Sequence, residues 1–230
     1  MVRNEGAKLC RKAASIDRIL TKEYGRKIVE ADEDPLDTLI ETILSQNTTD
    51  LNSHRAFKAL KKRYPTWNRL IGEDPKRVAE IIRSGGLAGI KAERILAALE
   101  HIKRETGTLD LNFLRDMPAS EADAWLGRMK GVGPKTRSIV LLFSLGMPAF
   151  PVDTHIHRVT KRMGLIGKKT NREQAQTDLA SLVPSSEFYN FHINIIEHGR
   201  AVCKARSPRC EVCKVSGLCD YYSTTRKAQT

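Results

Sequence analysis

Four cysteines lie close together near the C-terminal end of the chain, in a C-x6-C-x2-C-x5-C pattern. They are Cys203, Cys210, Cys213 and Cys219. Zinc modules usually have two tight cysteine pairs with a longer spacer, and only Cys210 and Cys213 form such a pair here. Disulfides are not expected, because the first twenty residues are charged throughout and resemble no apolar signal segment. Four thiolates on one short loop suit an iron–sulfur cubane, whose irons spread the ligand positions apart. The spacing favours an iron–sulfur cluster on the loop 203–219, with zinc as the alternative.

A glycine-rich turn, Lys-Gly-Val-Gly-Pro-Lys, ends at Lys135. Gly131 and Gly133 permit backbone conformations that other residues rarely adopt, and the following proline suits the first turn of a helix. Backbone N–H groups at the positive end of a helix dipole can hold a phosphate oxygen. We therefore expect Gly131, Val132 and Gly133 to contact a DNA phosphate. A tight helix–helix connection without a ligand is the alternative.

Lys135 and Asp153 are the candidates for catalysis, eighteen positions apart. Lys135 lies in the first turn of the predicted helix, where the dipole disfavours an ammonium, and a neutral amine there can attack a sugar C1′. Asp153 lies near the N-cap of another predicted helix, where a carboxylate is held ionised. It can stabilise an oxocarbenium-like sugar and help the lysine lose its proton. The alternatives are a phosphate-contacting lysine and a simple helix cap.

The charge of the chain favours a polyanionic partner. It has 39 Lys plus Arg against 27 Asp plus Glu, a net charge of +12 and a pI near 9.6. Such a field attracts nucleic acid, although a solubilising surface or an anionic membrane surface would also fit. The chain has no long apolar run, so no membrane-spanning segment is expected.

Almost every periodic segment predicts an amphipathic helix, and none shows sustained alternation of period two. One buried face is predicted at Leu36, Leu39, Ile40, Ile43 and Leu44. Capping residues predict three further helix starts: Asp74 before a proline, Ser120 with Asp123, and Thr170 with Glu173. Gly107 should end the helix that runs from Lys91 to Thr106. The expected fold is all-α.

Domain boundaries are weakly marked, because no Gly/Ser/Pro linker interrupts the chain. The polar stretch Glu30–Asp34 and the turn Gly146–Pro151 are the best candidates. They predict a central helical domain of residues 34–147. The second domain would then combine residues 1–33 with residues 148–230.

Three segments together resemble a known family: Met129–Thr136, Val152–Val159 and the four cysteines. They are similar to the signatures of the endonuclease III family of helix-hairpin-helix DNA glycosylases with a [4Fe–4S] cluster, from about Asp34 to Cys219. The resemblance implies a six-helix barrel domain at 34–147 and a cluster domain built from both termini. It also implies base excision followed by β-elimination, with Lys135 as the Schiff-base nucleophile and Asp153 as the essential carboxylate. The implied partner is double-stranded DNA with damaged bases or abasic sites. A cytoplasmic monomer is expected, nucleoid-associated in a prokaryote.

Two loops resemble the DNA-inserting loops of this family less closely. In the first, a glutamine of the family usually fills the hole left by the flipped nucleotide. Here Asn47 takes that place with Gln46 beside it, and the resemblance implies that both contact DNA. In the second, a leucine wedges the opposite strand, which would be Leu87. The family often has Tyr-Asn-Ser after that leucine, where this chain has Ala-Gly-Ile. An ordinary exposed loop residue is the alternative for Leu87.

His155 and His157 are two positions apart on a predicted helix, so they point in different directions. We therefore expect His155 to face DNA or to be hydrogen-bonded within the protein, and not to bind a metal.

The sequence does not decide which class of damaged base the protein excises. Oxidised pyrimidines and abasic sites are the first expectation, and uracil, mismatched thymine or an adenine mispair is the second. Lys135 argues against a purely monofunctional adenine enzyme, because that branch of the superfamily usually lacks this lysine. A non-catalytic, cluster-containing DNA-binding or redox-sensing module is the alternative from another class, and it would need neither Lys135 nor Asp153.

Overall fold

The computed structural model describes residues 2–29 and 33–227. Every regular element among the described residues is helical, which confirms the all-α prediction. The α-helices are α1 Val2–Tyr24, α2 Pro35–Ser45, α3 Asp50–Arg63, α4 Pro75–Ile81, α5 Ala88–Thr106, α6 Ala119–Leu126, α7 Pro134–Ile139, α8 Thr154–Met163, α9 Arg172–Leu182, α10 Phe188–Ala201 and α11 Asp220–Lys227. Short 3₁₀ turns connect several of them, and a wider π turn, Val140–Ser144, continues α7.

The chain divides into two compact units. The central unit contains residues 30–147, and the terminal unit combines residues 1–29 with residues 148–230. The polar stretch chosen from the sequence as the first boundary includes residues 30–32, which lie outside the described residues. Within the part of the chain that the structure describes, no helix is long and apolar enough to cross a membrane.

The core of the central unit forms around α2. The five apolar residues predicted to share one face of this helix are all buried. Asp34 starts the helix, because its side chain accepts hydrogen bonds from the N–H groups of Leu36 and Asp37. The buried face packs against α3, α5 and α7, so this helix brings the later loops of the unit together.

Helix boundaries confirm some of the capping predictions and correct others. Asp74 caps α4 and Gly107, with φ of 74°, ends α5, both as predicted. The predicted cap at Ser120 was wrong, because the N-cap of α6 is Pro118, two residues earlier. The box at Thr170 was also wrong, since Asn171 accepts the bond from the N–H of Gln174 and caps α9. Asn is as good a cap as Thr, so neighbouring candidates compete.

In the terminal unit, α10 packs against α1 and α8. Phe188, Phe191 and Ile195 of α10 are buried, and Phe150 contacts both phenylalanine rings. This packing fixes α8, which has Asp153 at its N-cap and whose last turn contacts the cysteine loop through Arg162.

Candidate functional site

The glycine-rich turn is built around Gly131. Its φ of 86° lies in the left-handed region, and a Cβ there would lie 2.7 Å from Cδ of Arg94, so this position requires glycine. Gly133 has φ of −80° and ψ of 175°, which any residue adopts, and a Cβ there would meet no atom within 4 Å. The prediction that Gly133 needs a special backbone conformation was therefore wrong. Val132 is buried, and its N–H donates to the carbonyl of Met129 over 3.1 Å.

Helix α7 begins directly after this turn with Pro134 at its first position. No side chain in the described part of the chain caps its N-terminus, so its first N–H groups remain available to a ligand. Lys135 is exposed, whereas Thr136 and Ser138 are buried. On the other side of the helix, Arg137 donates to Asp123 Oδ1 over 2.8 Å and holds α7 against α6. The lysine amine thus stands at the positive end of a fixed helix.

Asp153 is the N-cap of α8, as predicted. Its Oδ1 accepts a 2.7 Å hydrogen bond from the N–H of Ile156, while the buried Val152 anchors the preceding backbone. One carboxylate oxygen is therefore held by the first turn of the helix. Nearby, His155 Nδ1 accepts from Arg158, and His157 Nε2 lies 2.8 Å from the carbonyl of Thr170. The two imidazoles have separate partners, as expected of side chains that point in different directions.

The loop after α2 contains Gln46 and Asn47. Asn47 is exposed and has a left-handed backbone with φ of 54°. Gln46 is turned inward: its Nε2 donates to the carbonyl of Gly131 over 3.3 Å, and its Oε1 accepts from Arg94 over 2.6 Å. Gln46 therefore connects its loop to the glycine-rich turn, and Asn47 beside it is exposed.

Leu87 lies in the loop before α5, at the N-cap of that helix. It has φ of 49° and ψ of 37°, and 54% of its surface is exposed. A left-handed conformation is costly for a leucine, and an exposed apolar side chain gains nothing from burial in return. Strained residues of this kind cluster at active sites and ligand-binding sites. Lys91 holds this loop through the carbonyl of Gly85 and also binds the carbonyl of Leu44, 47 positions away. Arg94 holds the Asn47 loop through Gln46, 48 positions away. Neither role was predicted from the sequence, because no local pattern indicates contacts between residues so far apart.

The four cysteines line one cavity of about 340 Å³, part of which is open to solvent. Burial and, to a smaller extent, charge on the other three cysteines raise the pKa of the Cys213 thiol to about 11. Four thiolates are therefore stable together only beside cations. No group of three or more His, Cys, Asp or Glu among the described residues converges as a single-ion site. Thiols spread around a cavity fit a cubane, whose irons lie apart, better than one zinc ion.

Neighbouring side chains hold the cysteine loop in place. Arg162 of α8 donates to the carbonyls of Lys204 and Ala205 over 2.7 and 3.0 Å. Burial lowers the pKa of His198 to about 4, so this imidazole is neutral, and its Nε2 lies 3.6 Å from Cys213 Sγ. Tyr24 Oη is 3.1 Å from Nδ1 of the same ring. A hydroxyl that donates to Nδ1 leaves Nε2–H to face the sulfur, which is the outer-shell support that metal-bound sulfur commonly has.

Comparisons with known proteins agree with this geometry. Residues 40–185 match the family described as HhH-GPD superfamily base excision DNA repair protein, and residues 203–219 match the iron-sulfur binding domain of endonuclease III. The endonuclease III of Synechocystis sp. is 36% identical over 210 residues, which cover 90% of this chain and 91% of that protein. A relative from Arabidopsis thaliana is 38% identical over 169 residues, which cover 74% of this chain and 58% of that protein.

Two solved endonuclease III–DNA structures are also similar, each with a TM-score of 0.81. One is a non-covalent complex, 26% identical, with coverage of 95% of this chain and 98% of that chain. The other is a trapped covalent intermediate, 27% identical, with coverage of 94% of this chain and 98% of that chain.

Proposed function

Because this chain belongs to the endonuclease III family of base-excision repair proteins, we propose that Lys135 and Asp153 carry its glycosylase and lyase reactions. The chain is a DNA glycosylase and abasic-site lyase that carries a [4Fe–4S] cluster. The proposal is supported by an exposed lysine in the first turn of the helix that follows the glycine-rich turn. The similar endonuclease III trapped as a covalent intermediate shows that this fold supports an enzyme–DNA bond.

In the proposed reaction, the neutral amine of Lys135 attacks C1′ of the damaged nucleotide. The bond between C1′ and the base breaks, and the base leaves with the electron pair and takes up a proton. The sugar ring opens to give an imine with the lysine. Loss of a proton from C2′ then expels the 3′ phosphate by β-elimination, and water hydrolyses the imine to free Lys135. The strand is thereby cut 3′ to the lesion.

We propose two roles for Asp153. Its charge stabilises the positive, oxocarbenium-like sugar as the base departs, and it favours transfer of a proton from the Lys135 ammonium. The hydrogen bond from the N–H of Ile156 supports both roles, because it fixes the position of one carboxylate oxygen. The cap also leaves the second oxygen free for the reaction.

The substrate that we propose is duplex DNA with oxidised pyrimidines or abasic sites. Asn47 would fill the gap left by the extruded nucleotide, and Leu87 would wedge the opposite strand, because both are exposed on strained loops. Backbone N–H groups at the start of α7 and at Gly133 would hold a phosphate, with His155 beside the DNA. Uracil, mismatched thymine and adenine mispairs are the competing lesions, and a screen of defined damaged duplexes separates them.

The four cysteines would hold the cluster, which would organise the loop 203–219. We further propose that the protein acts as a monomer in the cytoplasm, on nucleoid DNA in a prokaryote. Its net charge of +12 supports direct binding to duplex DNA.

Borohydride trapping tests the proposed nucleophile. Reduction of the imine should leave wild-type protein covalently joined to abasic DNA. Lys135→Gln removes the amine and should abolish trapping while binding to abasic duplex persists. Lys130→Gln is the matched control, because Lys130 is also exposed and lies in the same turn. If Lys135→Gln traps at wild-type yield, another amine is the nucleophile.

A further inference from the structure

Lys91 is the buried charge of the central unit. Its side chain is 1% exposed, and it is the one Lys, Arg, Asp or Glu that is buried among the described residues. The ammonium donates to the carbonyl of Leu44 over 2.6 Å and to the carbonyl of Gly85 over 2.7 Å. Burial lowers the pKa of this amine, and the positive charge of Arg94 lowers it further. An ammonium buried without partners would destabilise the folded state. The two carbonyl groups that it contacts therefore indicate its role.

Both carbonyl groups belong to the ends of helical elements. Leu44 is in the last turn of α2, and Gly85 ends the 3₁₀ turn Arg83–Gly85. Carbonyl groups at such ends have no partner within their own helix. A lysine that donates to them acts as a C-terminal cap, and here one ammonium caps two elements at once. Charge-assisted hydrogen bonds of this kind are roughly twice as strong as neutral ones.

The two capped elements lead directly into the two loops proposed to enter DNA. Leu44 is three residues before Asn47, and Gly85 is two residues before Leu87. Asn47 and Leu87 are two of the three non-glycine residues with positive φ in the described part of the chain. Such conformations cost on the order of 1–3 kcal/mol each and persist where the surrounding structure fixes them. The Lys91 ammonium fixes the backbone immediately before both.

We propose that Lys91 is a positioning residue that sets the spacing of Asn47 and Leu87 for insertion around the extruded nucleotide. This inference rests on the proposed function of those two loops. Lys91 is too deeply buried to contact DNA, so it acts through the two carbonyl groups. A lysine suits this task, because one amine can donate to both loops at the same time.

The next turn of α5 extends this arrangement. Arg94 binds Gln46 Oε1, and Gln46 Nε2 binds the carbonyl of Gly131. The start of α5 therefore connects the Asn47 loop to the Leu87 loop through Lys91, and to the glycine-rich turn through Arg94. The start of α5 thus holds all three segments of the central unit that are proposed to contact DNA: the Asn47 loop, the Leu87 loop and the glycine-rich turn.

The test compares a lesion that must be extruded with one that is already unpaired. Lys91→Met keeps the length and apolar stem of the side chain but removes the donor. Single-turnover excision would be measured for one lesion in a paired duplex and in an unpaired bubble. We expect the paired-to-bubble rate ratio to fall about tenfold, equivalent to about 1.4 kcal/mol. Borohydride trapping at a preformed abasic site in a bubble should stay within about twofold of wild type.

Leu99→Ala is the control for a general loss of stability. Leu99 is buried on the same helix, two turns beyond Lys91, and its truncation should cost about 2–5 kcal/mol without touching either carbonyl. Its rate ratio should equal that of wild type at a temperature where both variants are folded. An equal fall in the ratio for Leu99→Ala, or an unchanged ratio for Lys91→Met, would overturn the positioning role.

A second variant keeps the test decisive if Lys91→Met does not fold. A Cβ at Gly85 would lie 3.3 Å from Ala56 Cβ, 3.9 Å from the carbonyl oxygen of Leu44 and 4.0 Å from Lys91 Nζ. Gly85→Ala therefore crowds the site where the ammonium binds the two carbonyl groups, while the ammonium itself remains. We expect a smaller fall in the same ratio, and an unchanged ratio would count against the proposal. Failure of wild-type protein to trap at an abasic site would instead contradict the proposed lyase function.

Discussion

The side chain of Arg94 lies across Gly131, where a Cβ would come within 2.7 Å of Arg94 Cδ and 2.9 Å of Nε. The carbonyl of the same glycine accepts from Gln46. The glycine-rich turn, the Asn47 loop and α5 therefore meet at a position that has room for no side chain. Gly133, two residues further on, lies in open space, so the two glycines serve different purposes.

Gly133→Ala is a probe of DNA contact that leaves the fold unchanged. An added methyl group meets nothing within 4 Å in the protein, so the unfolding free energy should stay within about 0.5 kcal/mol of wild type. It should weaken binding to a duplex with an abasic-site analogue, measured by fluorescence anisotropy, if a phosphate approaches this backbone. Gly131→Ala should instead cost about 1–3 kcal/mol of stability through its positive φ. Wild-type affinity for Gly133→Ala would show that no phosphate approaches this residue.

Leu87→Ala should slow excision of a paired lesion about tenfold, because less apolar surface is available to replace the lost stacking. Cleavage at a preformed abasic site should change much less, since less unstacking is needed there. Ile90→Ala is the matched control, because Ile90 is 50% exposed on the first turn of the same helix. Both substrates would be measured under single-turnover conditions. Equal losses on both substrates would indicate reduced DNA affinity and not a wedge.

Asp153→Asn separates the catalytic charge from the helix cap. Asn is as good an N-cap as Asp, so thermal unfolding should remain close to that of wild type. Base excision should fall by about 10²–10³, because the developing positive charge on the sugar loses its counter-charge. The comparison is Asn171→Asp, which should leave excision unchanged while it retains the cap of α9. Normal excision by Asp153→Asn would reduce this residue to a structural cap.

Cys213→Ser should remove the yellow-brown colour and lower iron and acid-labile sulfide from about four of each per chain. The loop 203–219 should then become sensitive to protease, because Val215 is its one buried apolar residue in the described structure. Cys10→Ser should keep the full iron content, since Cys10 lies on α1 and its Sγ is 3.9 Å from the carbonyl of Ser181. Stoichiometric zinc without iron in anaerobically prepared protein would contradict the cluster assignment.

Local signals predicted much of this structure from sequence. The caps at Asp74 and Asp153 were correct, because a carboxylate that precedes a helix binds an N–H group only two or three residues away. The box at Thr170 failed by one residue, since Asn171 beside it caps equally well. The sequence pattern alone cannot decide which of two adjacent capping residues will start the helix.

Long-range relationships could not be predicted in the same way. The hydrogen bonds of Gln46 to Arg94 and Gly131 join residues 48 and 85 positions apart, and no local pattern indicates them. Lys91 looked like an ordinary helix residue, because lysine in an amphipathic helix is usually exposed. Its role becomes visible only in the folded structure, where α2 packs against α5 and the Lys91 ammonium donates to the carbonyls of Leu44 and Gly85.

Helix α8 is ten residues long, and each of its ends has a separate role. Asp153 caps its start, and Arg162 near its end holds the carbonyl groups of Lys204 and Ala205 in the cysteine loop. Each residue added to a helix turns everything beyond it by about 100° and advances it by about 1.5 Å. An insertion or deletion inside α8 would misdirect one end or the other. We therefore expect substitutions within α8 to be tolerated better than insertions or deletions.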